Sequence, residues 1–291
     1  MSKHLQTVMN IAHDSLITIK NNYILMKKLS VFKEIVIVFA LIYVPFTAGA
    51  WGVLGHRIVG EVADQYLQAK TRLAIKQILG TESMAMAANW ADFIKSDTTY
   101  NYLSNWHYVN LPADLSKNDV YSFLENQPAA NIYNKLNEMI AVLKNVKSTT
   151  DQKKLALRMV IHLVGDLHQP MHTARKDDLG GNKILLTWFG EKSNLHRVWD
   201  EGLVGFQQLS FTEYTKAINH PTKQQVINWQ QTSLKDCVFE SYQICNKIYA
   251  TGIKNDDKLS YKYNFDWIDT VNEQLLKGGV RLAKILNDIY K

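Results

Sequence analysis

The sequence predicts a mostly α fold: a single-domain bundle of long helices with a short β-hairpin arm. Three observations predict it. After residue 50, apolar residues recur at three- and four-residue intervals over most of the chain. Strand signals are confined to one short run. No Gly/Ser-rich linker, repeat or block of like charge divides residues 51–291. A chain of 291 residues can bury a full core, and 46% apolar content with only five prolines excludes disordered and collagen-like classes.

Residues 1–50 read as export machinery. Lys27 and Lys28 precede an apolar run over 35–44, then Pro45 and Ala48-Gly49-Ala50, which is the order of a secretory signal with a small-x-small cleavage site. The run is about half of the roughly 20 residues a membrane span needs. Met26 is read as the true start, since a signal from there to Ala50 has the usual length of about 15 to 30 residues. Cleavage after Ala50 leaves 51–291 as the functional domain. It is expected in the periplasm or outside the cell, as a monomer without stable membrane association. In 51–291, 28 Lys and Arg stand against 25 Asp and Glu. That excess of three is too small to mark a nucleic-acid binder by charge alone.

Helical periodicity predicts helices over 59–67, 72–79, 132–146, 154–167, 224–249 and 267–290. The last carries Val271, Leu275, Val280, Leu282, Ile285 and Ile289 at near-helical spacing. Residues 183–188, after Gly180-Gly181-Asn182, predict the hairpin arm. Loops are expected around 116–118, 148–151 and 254–257. Two cysteines cannot form a disulfide framework. On a helix, the eight residues between Cys237 and Cys245 amount to about 12 Å, too far for a bridge unless the helix breaks.

Histidine carries the chemistry instead. Residues 51–291 hold seven, His56, His107, His162, His168, His172, His196 and His220. His162 and Asp166 are four apart on one predicted helix, so both emerge on the same face, and His196 and Asp200 repeat the spacing. A single such pair reads as an ordinary salt-bridged helix surface. Two of them, with His107 and the run His162-x-x-x-Asp166-x-His168-Gln169-Pro170-x-His172, form a density of ligand types that a solvated face does not need. Imidazole and carboxylate without thiolate suit catalytic zinc or a similar borderline metal. Pro170 is expected to end the helix near His168 and turn His172 off its face. Signal cleavage would also give Trp51 a free α-amine, with an unperturbed pKa of about 7.7 to 8.0, five residues before His56. His168 reads as structural or as a supporting donor, His220 as exposed in a loop, and Trp106 and Trp188 as packing.

Trp51-Gly52-x-x-Gly55-His56, Ala91-Asp92-x-x-Lys95, Trp106-His107-Tyr108, the His162 to His172 run, Gly180-Gly181-Asn182 and Leu195-His196-x-x-Trp199-Asp200 follow one another in this order. In them the chain resembles the zinc-dependent single-strand-specific nucleases and 3′-nucleotidases of the fungal S-one and P-one type. The resemblance covers Trp51 to Asp200 and implies three zinc ions. One would be held by Asp92, His107, His162 and Asp166. A second would be held by the amine and carbonyl of Trp51, His56 and a bridging Asp166. The third would be held by His172, His196 and Asp200.

The implied activity is cleavage of single-stranded RNA or DNA to 5′-phosphorylated products and removal of 3′-phosphate from nucleotides. Water bridging the paired zincs would attack phosphorus while the third zinc stabilises the departing 3′-oxygen. Asp92, Asp166 and Lys95 would be the catalytic side chains, Lys95 as an extra cation for phosphate oxygens. Tyr108, Asn110, Gly181 and Asn182 fall where the family holds the base. Asn110 departs from the aspartate of the fungal members, which puts base preference in question. Two alternatives share these residues. A zinc-dependent phospholipase C of the same superfamily would have Glu at Asp200 and a longer gap before the first His. An envelope zinc-binding protein without activity would need neither a bridging carboxylate nor Lys95.

Overall fold

Polar side chains cap most of the longer helices of the middle of the chain. The computed structural model describes residues 51–291. The expected signal region 1–50, with its start at Met26 and cleavage after Ala50, lies outside the described residues. Helix α1 (Val53–Gln65) and α2 (Ala69–Leu79) open the fold, and α3 (Lys117–Asn126) follows a long irregular stretch of short helical turns. The antiparallel-neighbour pair α4 (Ile132–Lys144) and α5 (Thr150–Leu167) comes next. Thr149 caps α5 in a reciprocal box with Gln152, satisfying two backbone donors at once. Its second half is buried on every side, from Ala156 to Leu167 apart from Arg158. The helix ends at His168, two residues before Pro170, and His172 is carried on a separate turn, Pro170–Thr173.

The arm is a hairpin of β1 (Leu185–Trp188) and β2 (Glu191–Asn194), antiparallel, with Leu185 opposite Asn194. Phe189 and Gly190 take φ of 50° and 86° at the turn, the left-handed pair that a tight hairpin uses. A third strand, β3 (Lys258–Leu259), lies parallel to β1 in the order β2-β1-β3. Two residues are too short to leave a strand signal, so the sequence indicates only the loop before it.

Two further boundaries differ from expectation. Ser116 begins a helix where a loop is expected, because it and Asp119 form another capping box. The single helix expected over 224–249 is two, α7 (Lys223–Gln230) and α8 (Leu234–Ala250), after α6 (Phe211–Ile218). The break falls at the hydroxyl pair before α8: Thr232 bonds back to the Asn228 carbonyl, and Ser233 accepts from the Asp236 amide as N-cap. Both cysteines lie on α8, buried and unbridged. Burial pushes their thiols up to about 11 (Cys237) and about 12 (Cys245). At pH 8 only about one Cys237 in a thousand is thiolate, and fewer Cys245. A thiol reagent is therefore expected to leave both unmodified at pH 8 and to modify both in denaturant; rapid labelling of folded protein would contradict this packing.

The last helix, α9 (Tyr261–Ile289), runs across α1, α5 and α7. It meets α1 so closely that a Cβ on Gly279 would lie 2.4 Å from Val62 and 3.0 Å from the Val59 carbonyl. It also holds the far end of α5. Arg281 donates to His168 Nε2 at 2.9 Å and pairs with Glu240 at 2.7 Å, and Gln274 donates to the His168 carbonyl at 3.0 Å. Ser241 of α8 donates to the Leu167 carbonyl at 2.6 Å. Burial, reinforced by Arg281, keeps His168 neutral down to about 3. His168 thus has the structural role, and it binds a cation rather than a ligand carboxylate. Among the described residues no helix is long and apolar enough to cross a membrane.

Candidate metal centre

The floor of the site is the buried end of α5. His162 and Asp166 project from one face, and their Nε2 and Oδ2 lie 3.1 Å apart. His107 follows the turn Thr98–Trp106; its Nδ1 is 2.9 Å from His162 Nε2 and 3.0 Å from Asp166 Oδ2. His56, in the first turns of α1, stacks on His162 at 3.9 Å and brings Nε2 to 3.2 Å from Asp166 Oδ1. Asp92 closes this side from the short helix Trp90–Phe93, its oxygens 3.9 Å from His162 Nε2 and 4.0 Å from His56 Nε2. Lys95 donates to Asp92 Oδ1 at 2.6 Å. On the other side, His172 Nε2 and His196 Nε2 face the two oxygens of Asp200 at 3.6 and 3.2 Å.

Three of these imidazoles are aimed by backbone carbonyls. His162 Nδ1–H donates to Ala88, His172 Nδ1–H to His107 and His196 Nδ1–H to Gly180, at 2.6, 2.7 and 2.7 Å. Each bond fixes the tautomer that leaves Nε2 with its lone pair towards the cluster. Gly180 must be glycine: its φ is 65°, and a Cβ would lie 2.6 Å from the Met171 carbonyl. Only that close turn brings its carbonyl onto His196. Gln169, fully buried, donates its amide N–H to Asp200 and accepts from the Met171 amide at 2.5 Å.

Trp51 is fully buried. Its indole and the His56 ring both press on Gly165, where a Cβ would lie 3.9 Å from Trp51 Cδ1 and 2.8 Å from His56 Nδ1. A larger residue beside Asp166 would displace the His56 ring. Gly52 N–H donates to the Asp200 carbonyl at 2.8 Å, tying the start of the domain to the other side of the site.

The residues fit metal ions on the structure's own terms. His56 Nδ1 and Nε2, His107 Nε2, His172 Nε2, Asp166 Oδ1 and Asp200 Oδ2 are buried without a hydrogen-bond partner, a set costly to leave unsatisfied. Three groups bring ligand atoms within 4.8 Å of one another: His56, His162 and Asp166; Asp92, His107 and His162; and His172, His196 and Asp200. His162 belongs to the first two. The 2.9 to 3.1 Å edges of the His107, His162 and Asp166 triangle are close to the roughly 3.3 Å separating ligands about 2.0 Å from a tetrahedral ion.

The charges point the same way. Burial works to neutralise Asp166, yet the imidazoles of His162, His172 and His56 outweigh it and hold the carboxyl well below its usual range. Asp200 is likewise held down to about 2, against burial, by His196 and His172. Burial forces His107 down to about 4. Against burial, Asp166 and Asp200 carry His172 up to about 9. Without metal the carboxylates are ionised at neutral pH and His172 carries a proton beside them, positive charge that a metal ion would replace.

A cleft of about 410 Å³ opens beside these groups. Lys95, Tyr108, Asn110 and Asn182 line it with His107, His172 and His196, and Ser104, Met171 and Leu179 complete the wall. Gly181 lies behind the wall, buried against Met171 and Leu195, and Leu179 presents the surface there. Trp106 is buried and Trp188 packs against Phe189 and Phe206, as expected of packing residues. His220 is exposed and stands outside the site.

The S1/P1 Nuclease family matches residues 51–291. Endonuclease 2 of Arabidopsis thaliana is 29% identical over 296 residues, covering 91% of this chain and 98% of its own. Nuclease S1 of Aspergillus oryzae is 28% identical over 81% of this chain and 91% of its own. Nuclease P1 of Penicillium citrinum is 26% identical over 82% and 98%.

Proposed function

This chain belongs to the S1/P1 nuclease family, and from that premise we propose that it is an exported zinc-dependent phosphoesterase. It cleaves single-stranded RNA or DNA to 5′-phosphorylated products and removes 3′-phosphate from nucleotides. The observation that carries the reading is the set of three adjoining His/Asp groups, two of which contribute His107, His172 and His196 to the lining of one cleft.

On this reading Asp92, His107, His162 and Asp166 hold one zinc, Trp51, His56 and Asp166 a second, and His172, His196 and Asp200 a third. Zinc supplies Lewis acidity and an acidified water at neutral pH, which phosphodiester hydrolysis needs. The chain's own residues do the rest. Asp166 offers one oxygen to each side of the first pair. The carbonyls of Ala88, His107 and Gly180 hold three rings in the Nδ1–H tautomer that keeps Nε2 free for a ligand bond. Lys95, whose side chain is 38% exposed and lines the cleft, presents its ammonium to a phosphate oxygen while still anchored on Asp92.

Tyr108 and Asn182 face a base in the cleft; Asn110 both donates and accepts there, where a carboxylate would only accept. A paired base would have to leave its stack to enter, which sets the preference for single strands. The test is hydrolysis of a single-stranded oligonucleotide and its duplex, before and after chelation and with zinc restored. Preferential, chelator-sensitive cleavage of the single strand supports the reading. Cleavage that survives metal removal, or no preference between strands, overturns it.

A further inference from the structure

Beyond the cleft rim the surface carries aromatic rings that no step above employs. The stretch from Thr98 to Trp106 is a turn helix, Thr-Thr-Tyr-Asn-Tyr-Leu-Ser-Asn-Trp, with no charged residue. Its Tyr102 ring is 54% exposed, as is Phe93 just before it in sequence. Behind Tyr102 the rings are braced: Tyr100 stacks on it at 6.3 Å and 28°, Trp106 meets it edge-on at 5.6 Å, and Trp90 meets Tyr100 edge-on at 5.5 Å. The adjoining turn Ile94–Ser96 packs against this element.

Position gives the patch its meaning. Ser104, two residues after Tyr102, and Lys95, two after Phe93, both line the cleft, so the chain segments that bear these rings also form part of its wall. Such a surface has the chemistry of a stacking platform. Every base has a π-face, a braced ring loses little freedom on binding, and the Asn, Ser and Thr neighbours demand no one sequence, while the carboxylate of Asp97 at the N-cap is turned back onto Thr99.

We propose that Tyr102, with a contribution from Phe93 on the preceding short helix, is a ledge on which a base adjacent to the cleft-bound nucleotide stacks, so that the enzyme grips at least two consecutive nucleotides of a single strand. This rests on the nuclease reading above. The ledge acts on binding of a polynucleotide and has no part in bond cleavage.

The experiment compares KM and kcat of Tyr102→Ala, Tyr102→Phe and Phe93→Ala on a short single-stranded oligonucleotide and on a 3′-nucleotide. Tyr102→Ala is expected to raise the oligonucleotide KM about tenfold, within the range of one base–aromatic stack, with kcat held. Tyr102→Phe should restore it, and the 3′-nucleotide KM should stay put in all three. An unchanged oligonucleotide KM in both alanine variants overturns the ledge while the nuclease reading stands. Equal losses on both substrates overturn it too, since the effect would then run through Trp106 and His107. Concentration-dependent sedimentation abolished by Tyr102→Ala, with KM unmoved, would make the patch a contact between copies of the chain. Wild-type protein that cleaves neither substrate overturns the functional reading and the ledge together.

Discussion

Replacing Asp166 with asparagine is expected to lower hydrolysis by at least about a thousandfold and to lower the zinc content of the purified protein. The side chain is fully buried, with one oxygen 3.2 Å from His56 and the other 3.0 Å from His107 and 3.1 Å from His162. Among the described residues no other carboxylate reaches both sides at these distances. Asparagine keeps the volume but removes the charge and turns one oxygen into an N–H₂ facing imidazole nitrogens. Lys95→Ala is the comparison, because Lys95 is partly exposed and touches only Asp92 among these groups. Its loss should reduce turnover far less and leave zinc content intact. Equal losses in the two variants would contradict a shared role for Asp166.

For the proposed mature chain beginning at Trp51, an extension of even one residue is expected to cost about 10- to 100-fold in activity and to weaken zinc binding at the His56 side. An amide nitrogen has no free lone pair, whereas an α-amine titrating near neutrality yields one to a metal. Trp51 is fully buried, with its indole and the His56 ring both near Gly165. Proteolytic removal of the extension back to Trp51 should restore both readouts. Full activity and full zinc content with the extension in place would remove Trp51 from the ligand set.

The candidate centre was legible in the sequence to the extent that its ligands are local. His162 with Asp166, and His196 with Asp200, declare themselves by a helical spacing of four, and Pro170 announces the turn that redirects His172. The long helices follow from apolar periodicity because their buried faces are continuous. What stayed hidden depends on contacts far apart in the chain or on single hydrogen bonds. Gln169 stands inside a legible motif, yet its bond to Asp200 spans 31 positions. The carbonyl that aims His162 belongs to Ala88, a residue without chemical signature. Arg281, Gln274 and Ser241 lie in a C-terminal region without motifs, and they hold the end of α5 that carries the site. The break before α8 escaped because Thr232 and Ser233 interrupt a pattern apolar enough to read as one helix.

These side chains are proposed to form a zinc cluster that performs hydrolysis. The proposal is tested most directly by counting metal in the purified chain beginning at Trp51 while following cleavage of single-stranded nucleic acid before and after chelation. About three zinc ions per chain are expected, one for each proposed ligand set, with activity lost on chelation and regained on adding zinc. A chain that binds no zinc, or that stays inactive with its zinc complement restored, would contradict it.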